Sequence, residues 1–242
     1  MKNRLLFLGN YLFFILLLLT LVTVGQVWAV TYHYDDTWID WPGYENAPHN
    51  YHNQDEIGTP HIKSFEVTIN DASKALEEVQ IFMDPSQSGG IVLFDSLFIS
   101  TGGAWDSWDY LVHNGGDWHA GSDTPTDNGL YQVIDPNNYH YVLAPAGRTG
   151  DPNGINKNDL EFLENQNGFL SWDANSKTMT YDFTKLTTTI VMDPDNFFIA
   201  YTPWCSNDNI GGGNAPIPEP ATILLFGLGL VGIAGIARKK IA

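Results

Sequence analysis

The sequence predicts an all-β fold, an antiparallel β-sandwich of jelly-roll type. About eight to ten short apolar segments alternate with Asn-Gly, Asp-Pro and Gly-Gly punctuation, as in sheets built from short strands. Amphipathic helical periodicity is almost absent. No repeat of fixed period occurs, which argues against a solenoid or a propeller. A body of about 180 residues between the two ends is long enough for one domain with a hydrophobic core.

The predicted strands follow one another with short breaks. Residues 30–40 alternate for a few positions, and residues 65–70 have the period of a half-buried strand. Segment 76–83 is short and ends at an Asp-Pro turn, which favours a strand. Segment 91–100 is nearly continuously apolar, as expected in the middle of a sheet. Segment 158–164 predicts one helical turn. Further strands are predicted at 107–113, 130–134, 139–144, 178–183, 187–192 and 196–202.

The N-terminal segment has the pattern of a secretory signal. Lys2 and Arg4 precede the mostly apolar stretch 12–24, and small residues stand at the minus-three and minus-one positions before a cleavage point after Ala29. These features predict a signal peptide over residues 1–29. An uncleaved N-terminal anchor is the alternative, because the apolar character begins early.

The C-terminal segment combines a proline motif, an apolar run and a basic end. Residues 221–237 would reach about 25 Å as a helix, enough to cross a thin hydrocarbon core. Basic residues after the run stay in the cytoplasm, which puts the body outside. The prolines predict that the helix begins after them. The flanking motifs are Pro218, Glu219 and Pro220 before the run, and Arg238, Lys239 and Lys240 after it.

This order of features resembles the PEP-CTERM sorting signal of exported Gram-negative proteins. The resemblance implies recognition by a membrane protease of the exosortase type, anchoring in the inner membrane during sorting, and delivery to the cell surface or extracellular matrix. An ordinary single-span anchor is the alternative. The predicted organisation is a signal peptide at 1–29, an extracytoplasmic body at 30–209, a Gly/Pro linker at 210–217 and the sorting signal at 218–242.

The exported body is strongly acidic. The whole sequence carries a formal charge of -17, and the body keeps only six of the eleven Lys and Arg but twenty-seven of the twenty-eight Asp and Glu, which gives -21. Phosphate binding needs cationic groups, so we expect no nucleic-acid partner. Divalent cations, cationic surfaces and neutral glycans remain as partners, and acid alone also keeps a secreted protein soluble. Cys205 is the sole cysteine, which excludes an intramolecular disulfide.

Four aspartates are candidate calcium ligands: Asp95, Asp106, Asp109 and Asp151. Asp95 interrupts an apolar strand, and a buried carboxylate is costly unless it is paired, hydrogen-bonded or bound to a cation. Calcium takes six to eight oxygen ligands, commonly from loop carboxylates and carbonyls. The segment that begins at Asp151 does not have the EF-hand spacing. The alternative is that these aspartates cap turns.

Tryptophans in glycine-rich loops predict a carbohydrate platform. Trp105, Trp108 and Trp118 lie close in sequence to Asp109 and Asn114. Tryptophan faces can stack on sugar rings while neighbouring polar side chains bond the hydroxyls. The alternative is that these tryptophans are core residues of the sandwich.

Catalytic signatures are scarce. The sequence has no GxSxG motif and no CxxC pair, and with so many acids no particular carboxylate pair is informative. We therefore expect a non-enzymatic surface or matrix protein that associates with exopolysaccharide through a carbohydrate-binding module. The alternatives are a calcium-stabilised structural or adhesion protein and a glycan-processing enzyme. Calcium is the one cofactor that the sequence suggests.

Overall fold

The computed structural model describes residues 29–38, 40–44, 61–84, 95–102, 105–115, 123–144, 151–165, 168–203, 206 and 208–213. Almost all of the expected signal peptide and the whole sorting segment, including the expected membrane helix at 221–237, lie outside these residues. Among the residues that are described, no helix has the length and apolar character needed to cross a membrane.

The described fold is built from strands and two single 3-10 turns, Lys157–Asp159 and Phe183–Lys185. The first strands are β1 (Ala29–Asp35), β2 (Ile62–Asn70), β3 (Leu76–Met83), β4 (Asp95–Ser100), β5 (Tyr110–Asn114), β6 (Gly129–Val133) and β7 (Tyr141–Leu143). The later strands are β8 (Pro152–Ile155), β9 (Leu160–Asn165), β10 (Leu170–Asp173), β11 (Thr178–Asp182), β12 (Phe198–Pro203) and β13 (Ile210–Gly213).

These strands form three antiparallel sheets. The five-stranded sheet has the order β1-β2-β3-β11-β10, the six-stranded sheet has the order β13-β12-β4-β5-β6-β9, and β7 pairs with β8. The predicted all-β antiparallel class is confirmed. The jelly-roll order is not, because β1-β2-β3 and β4-β5-β6 are meanders that each stay within one sheet, whereas a jelly roll is built from two Greek keys.

The main core lies between the two large sheets. Val67 on β2 and Ile81 on β3 belong to one buried cluster with Leu97 and Ile99 on β4 and Ile199 on β12. Each of these side chains is at most 1% exposed. The alternation of side chains along a strand sends every second residue of each sheet into this layer.

The opposite face of the six-stranded sheet is also buried. Phe98, Trp108 and Ala200 pack there with Trp41 and with Ile155 from β8. Because both faces of β4 are covered, its sequence is apolar at successive positions instead of alternating. The prediction that segment 91–100 runs through the middle of a sheet is confirmed for its described part, since β4 lies between β12 and β5.

Two strands, β8 and β10, were not predicted, and three further segments differ from their predicted structure. Segment 187–192 forms no strand, only a bridge between Val191 and Ala75, although Ile190 and Met192 are buried in the core. Segment 158–164 is a 3-10 turn followed by β9, not an α-helical turn. Residues 210–213, which we expected in the linker, form β13 and pair with β12, so the folded body extends beyond residue 209.

Glycine is what allows β13 to lie this close to its neighbours. A Cβ atom on Gly213 would be 2.0 Å from the Phe197 carbonyl oxygen, and one on Gly212 would be 2.6 Å from the Tyr34 ring. These residues therefore pack as a strand because they lack side chains. Glycine content alone predicted a flexible linker here, and it did not reveal this packing.

Candidate functional site

A cleft of about 540 Å³ opens on the outer face of the six-stranded sheet. Three separate segments of the chain supply its walls, and four of its side chains are aromatic. The lining residues are Pro42, Gly43, Tyr44, Trp105, Asp106, Asn137, Tyr139 and Tyr141. The cleft therefore exists only after the turn that follows Trp41, the turn before β5, and the start of β7 with the turn before it have been brought together.

The local sequence explains how two of the tyrosines face the same side. Tyr139 and Tyr141 are two residues apart in extended chain, and such residues share a face. Their rings meet edge to face with centroids 5.2 Å apart. Asp106 lies opposite them in a turn with a φ of 63°, a left-handed conformation that Asp tolerates better than most residues.

A hydrogen-bonded chain connects the core with the cleft. The Trp108 indole Nε1 donates to the Tyr141 hydroxyl at 2.6 Å. The Tyr141 hydroxyl in turn donates to Asp106 Oδ1 at 2.6 Å, and the Tyr139 hydroxyl donates to the same oxygen at 2.8 Å. Asp106 thus receives two hydrogen bonds from neutral donors, which fix the carboxylate without neutralising its charge.

Burial keeps the tyrosine hydroxyls protonated. It raises the pKa of Tyr139 and of Tyr141 far above the ordinary tyrosine value, and hydrogen bonding to Asp106 adds to both effects. Burial also raises the pKa of Tyr44, with a smaller contribution from the negative charge of Asp106. These three groups are therefore neutral hydroxyls over the whole physiological pH range.

Trp105 is one of two partly exposed members of a tryptophan cluster; Trp38 is the other. Its ring meets those of Trp38 and Trp108 edge to face, with centroid distances of 5.1 Å and 5.5 Å. A third tryptophan, Trp41, lies 5.4 Å away. Edge-to-face contacts of this kind are favourable, and together they hold Trp105 in one orientation at the wall of the cleft.

The three tryptophans predicted to bind glycan do not lie together in the cleft wall. Trp105 lines the cleft, as a platform residue would. Trp108 has no exposed surface and packs in the second core, so it offers no face to a sugar ring. This corrects our expectation for Trp108, whose large apolar area is needed to fill the layer over β4. Trp118 lies outside the described residues.

The predicted polar partners are not in the cleft wall. Asp109 Oδ2 accepts hydrogen bonds from the Thr101 amide and hydroxyl at 2.6 Å and 2.7 Å, so this carboxylate ties together the two ends of the loop between β4 and β5. Asn114 ends β5 and stands opposite Asp95 of β4 in the sheet register. Neither position is among the residues that line the cleft.

The four predicted calcium ligands lie in separate environments. Asp106 bonds the cleft tyrosines, Asp109 bonds Thr101, and the backbone of Asp95 begins β4. Asp151 is 1% exposed, and its Oδ2 accepts a 3.2 Å hydrogen bond from the Asn209 amide. In the part of the chain that the structure describes, no three His, Cys, Asp or Glu side chains form a group that could hold a metal ion.

Six of the eight lining residues were not predicted as site residues: Pro42, Gly43, Tyr44, Asn137, Tyr139 and Tyr141. The spacing of Tyr139 and Tyr141 was a usable signal, because it puts two large amphipathic rings on one face of an extended segment. No sequence pattern of this kind marks Tyr44. It reaches the site through the turn after Trp41, whose buried ring anchors that segment on the sheet.

Comparison with known proteins concerns the other end of the chain. No curated protein and no solved structure matches this sequence. The PEP-CTERM protein-sorting motif matches residues 216–239, which begin three residues after the end of β13. This match confirms the resemblance drawn from the proline motif, the apolar run and the basic end. The chain is therefore an exported protein that carries a PEP-CTERM sorting motif and is a substrate for exosortase processing.

Proposed function

We propose that the body is a non-enzymatic carbohydrate-binding module that associates with exopolysaccharide at the surface or in the extracellular matrix of a Gram-negative bacterium. The observation that carries this proposal is the aromatic cleft around Asp106. Its volume of about 540 Å³ falls within the range of ligand-binding clefts, roughly 300 to 1,000 Å³.

The chemistry of the wall suits a sugar. A sugar ring offers apolar faces and a rim of hydroxyls, and it binds best where aromatic surface and hydrogen-bonding groups lie together. Trp105 and Tyr44 supply partly exposed aromatic surface, while Asn137 and Asp106 supply exposed polar groups. The Tyr139 and Tyr141 hydroxyls already donate their protons to Asp106, so they can only accept hydrogen bonds from a sugar, whereas the neutral Tyr44 hydroxyl can donate or accept.

The arrangement of carboxylates favours binding over hydrolysis. Glycosidases typically use two carboxyl groups about 5 to 9.5 Å apart across the scissile bond. Among the described residues that line the cleft, Asp106 is the single carboxylate, and its Oδ1 already accepts two hydrogen bonds. The glycan-processing alternative predicts turnover of the polysaccharide, which an assay for new reducing ends would detect.

Sorting supports the same role. Exosortase processing implies that the body leaves the inner membrane and works outside the cell. A formal body charge of -21 keeps a protein soluble there and disfavours anionic partners.

The test is titration of the detergent-solubilised full chain with oligosaccharides from the producing cell's own exopolysaccharide. We expect Trp105→Ala to lower affinity by about tenfold or more, since stacked aromatic residues dominate binding of this kind. Trp172→Ala is the matched control, because Trp172 is a half-buried tryptophan on β10 of the other sheet. Equal affinity of the wild type and Trp105→Ala, or no binding by the wild type, would contradict the proposal.

A calcium-stabilised structural or adhesion protein is a second candidate function. It is favoured by a set of buried polar side chains near the end of the body. Asp151 and Asp208 are 1% and 3% exposed, and each accepts a hydrogen bond, from the Asn209 side-chain amide and from the Ile62 backbone amide; Asn209 Oδ1 is buried without a hydrogen-bond partner among the described residues. Buried charge is costly unless it is paired or bound to a cation. A ligand held only by the folded state raises the melting temperature. A rise with calcium that excess chelator reverses would favour this candidate, and no shift would remove it.

A further inference from the structure

We propose that the cleft selects sugars that carry a protonated amine, with Asp106 as the counter-ion and the surrounding aromatic rings as cation–π partners. This inference rests on the proposed carbohydrate binding and narrows it to deacetylated amino sugars. It follows from the charge, the hydrogen bonds and the ring geometry of the cleft.

The carboxylate of Asp106 is oriented but not neutralised. Its Oδ1 is held by the Tyr139 and Tyr141 hydroxyls, both of them neutral donors. Its Oδ2 makes no hydrogen bond to any described residue, and the side chain is exposed. A carboxylate fixed in this way presents a full negative charge to a ligand, and charge-assisted hydrogen bonds to an ammonium group are stronger than neutral ones.

No cation competes for this charge within the described wall. The eight lining residues include no lysine or arginine. Three of the body's lysines are paired elsewhere: Lys63 with Asp84, Lys74 with Asp71 and Lys185 with Asp182.

Four aromatic rings line the cleft together with Asp106. Tyr141 meets Tyr139 at an interplanar angle of 85° and Tyr44 at 84°, and Trp105 stands on the same cleft. An ammonium group near an aromatic face is attracted by the ring quadrupole, and aromatic boxes with a nearby carboxylate suit such cations.

The same features disfavour other sugars. A uronic acid would bring a second carboxylate against Asp106 in an already acidic body, and like charges in contact are repulsive. An N-acetylated sugar keeps its apolar face and hydroxyls but loses the positive charge. The contrast between the free amine and the acetylated amine therefore isolates the charge from the rest of the sugar.

The experiment compares matched oligomers on the detergent-solubilised full chain at neutral pH and moderate salt. The probes are β-1,4-linked pentamers of glucosamine, N-acetylglucosamine and glucose, together with a uronic acid oligomer. We expect the glucosamine pentamer to bind about tenfold more tightly than its N-acetylated form, and the uronic acid oligomer to bind most weakly.

Two variants separate the cleft charge from the overall charge. Asp106→Asn keeps the shape of the side chain and one acceptor for the tyrosines, and it should remove the preference for the free amine. Asp71→Asn removes the same charge in the turn after β2, on the other sheet, and should leave the preference intact. Equal loss in both variants would mean general charge attraction and would overturn the inference.

The remaining outcomes are distinguishable. Glycan binding without preference for the amine overturns this inference and leaves the proposed function standing. Absence of any glycan binding overturns both. Binding of a lysine-rich peptide without binding of the glucosamine pentamer would assign the cleft to a protein partner and also overturn the inference. If Asp106→Asn fails to fold, Trp105→Ala takes its place: loss of an aromatic partner in the cleft should weaken the preference for the free amine, and an unchanged preference would overturn the inference.

Discussion

The Trp108 indole donates a 2.6 Å hydrogen bond to the Tyr141 hydroxyl, and this bond joins the second core of the protein to its cleft. Trp108 is fully buried, whereas Tyr141 lines the cleft. A buried indole N–H needs a partner, and here the partner is a hydroxyl that also positions Asp106. Packing of the core and geometry of the candidate site are therefore coupled.

Tyr141→Phe should cost stability because it leaves the Trp108 donor without its acceptor. We expect a loss of about 1 to 3 kcal/mol in the free energy of unfolding, the cost of a buried polar group left unsatisfied. Tyr139→Phe is the control, since Asp106 retains the Tyr141 hydrogen bond and no buried donor is orphaned. Urea unfolding measures both. Equal losses in the two variants would contradict the coupling.

Trp108→Ala should destabilise the body far more than Trp105→Ala. Removal of a fully buried tryptophan leaves a cavity in the second core, and we expect a loss of about 3 to 5 kcal/mol in the free energy of unfolding. Trp105 is partly exposed, so its removal leaves a smaller void. The same urea titrations test this order, and the reverse order would mean that Trp108 does not fill the core.

Stability should fall in acid through His113. This ring is 8% exposed, burial lowers its pKa to about 4, and a hydrogen bond to the Pro125 carbonyl opposes part of that shift. The folded protein thus favours the neutral ring. The contribution is fully present above the ordinary histidine pKa of about 6.5 and is lost progressively as the pH falls toward about 4, by about 3 kcal/mol in total.

The check is His113→Gln, with the free energy of unfolding measured at about pH 7.5 and at about pH 4. Carboxylates titrate in both proteins, so their effect cancels when the two pH differences are subtracted. We expect the variant to lose less stability in acid than the wild type. An identical loss would show that His113 is not the buried neutral group that the geometry indicates.

Gly213→Ala should disrupt the last strand. The added Cβ would be 2.0 Å from the Phe197 carbonyl oxygen and 2.8 Å from the Phe198 Cα, both backbone atoms that cannot move aside cheaply. We expect a loss of about 1 to 3 kcal/mol, as for an overpacked site. Gly102→Ala has open space at its Cβ and should change stability by less than about 0.5 kcal/mol.

Urea unfolding curves of Gly213→Ala and Gly102→Ala measure the loss of stability, and limited proteolysis near β13 measures whether this strand has loosened. Because the sorting motif begins at residue 216, a loosened β13 should also expose new cleavage points just before it. Unchanged stability and unchanged proteolysis in Gly213→Ala would mean that β13 does not pack as described.

The sequence predicts a strand correctly where its apolar side chains follow one clear pattern. The alternation in β2 and the apolar run in β4 identified these strands, because burial on one face or on both faces determines which residues a strand can carry. The same pattern wrongly predicts a strand at segment 187–192. Ile190 and Met192 are buried like strand residues, yet the backbone there makes only one bridge.

The sequence predicts only part of the candidate site. Trp105 was identified because aromatic residues in glycine-rich loops are a local signal. Trp108 gave the same signal and turned out to be core, since burial depends on what covers the sheet and not on the neighbouring sequence. Tyr139 and Tyr141 lie 33 and 35 residues from Asp106 in the sequence, and both donate hydrogen bonds to it.

The sequence by itself determined that this protein is exported, that it carries the sorting motif and that its body is acidic and all-β. Those properties depend on composition, local order of residues and short-range periodicity, which require no knowledge of contacts. Tertiary structure alone decided which tryptophan is buried, that the glycine-rich end forms β13, and that Asp106 meets two tyrosines in one cleft. Those properties depend on contacts between distant segments, whose energies no local pattern encodes.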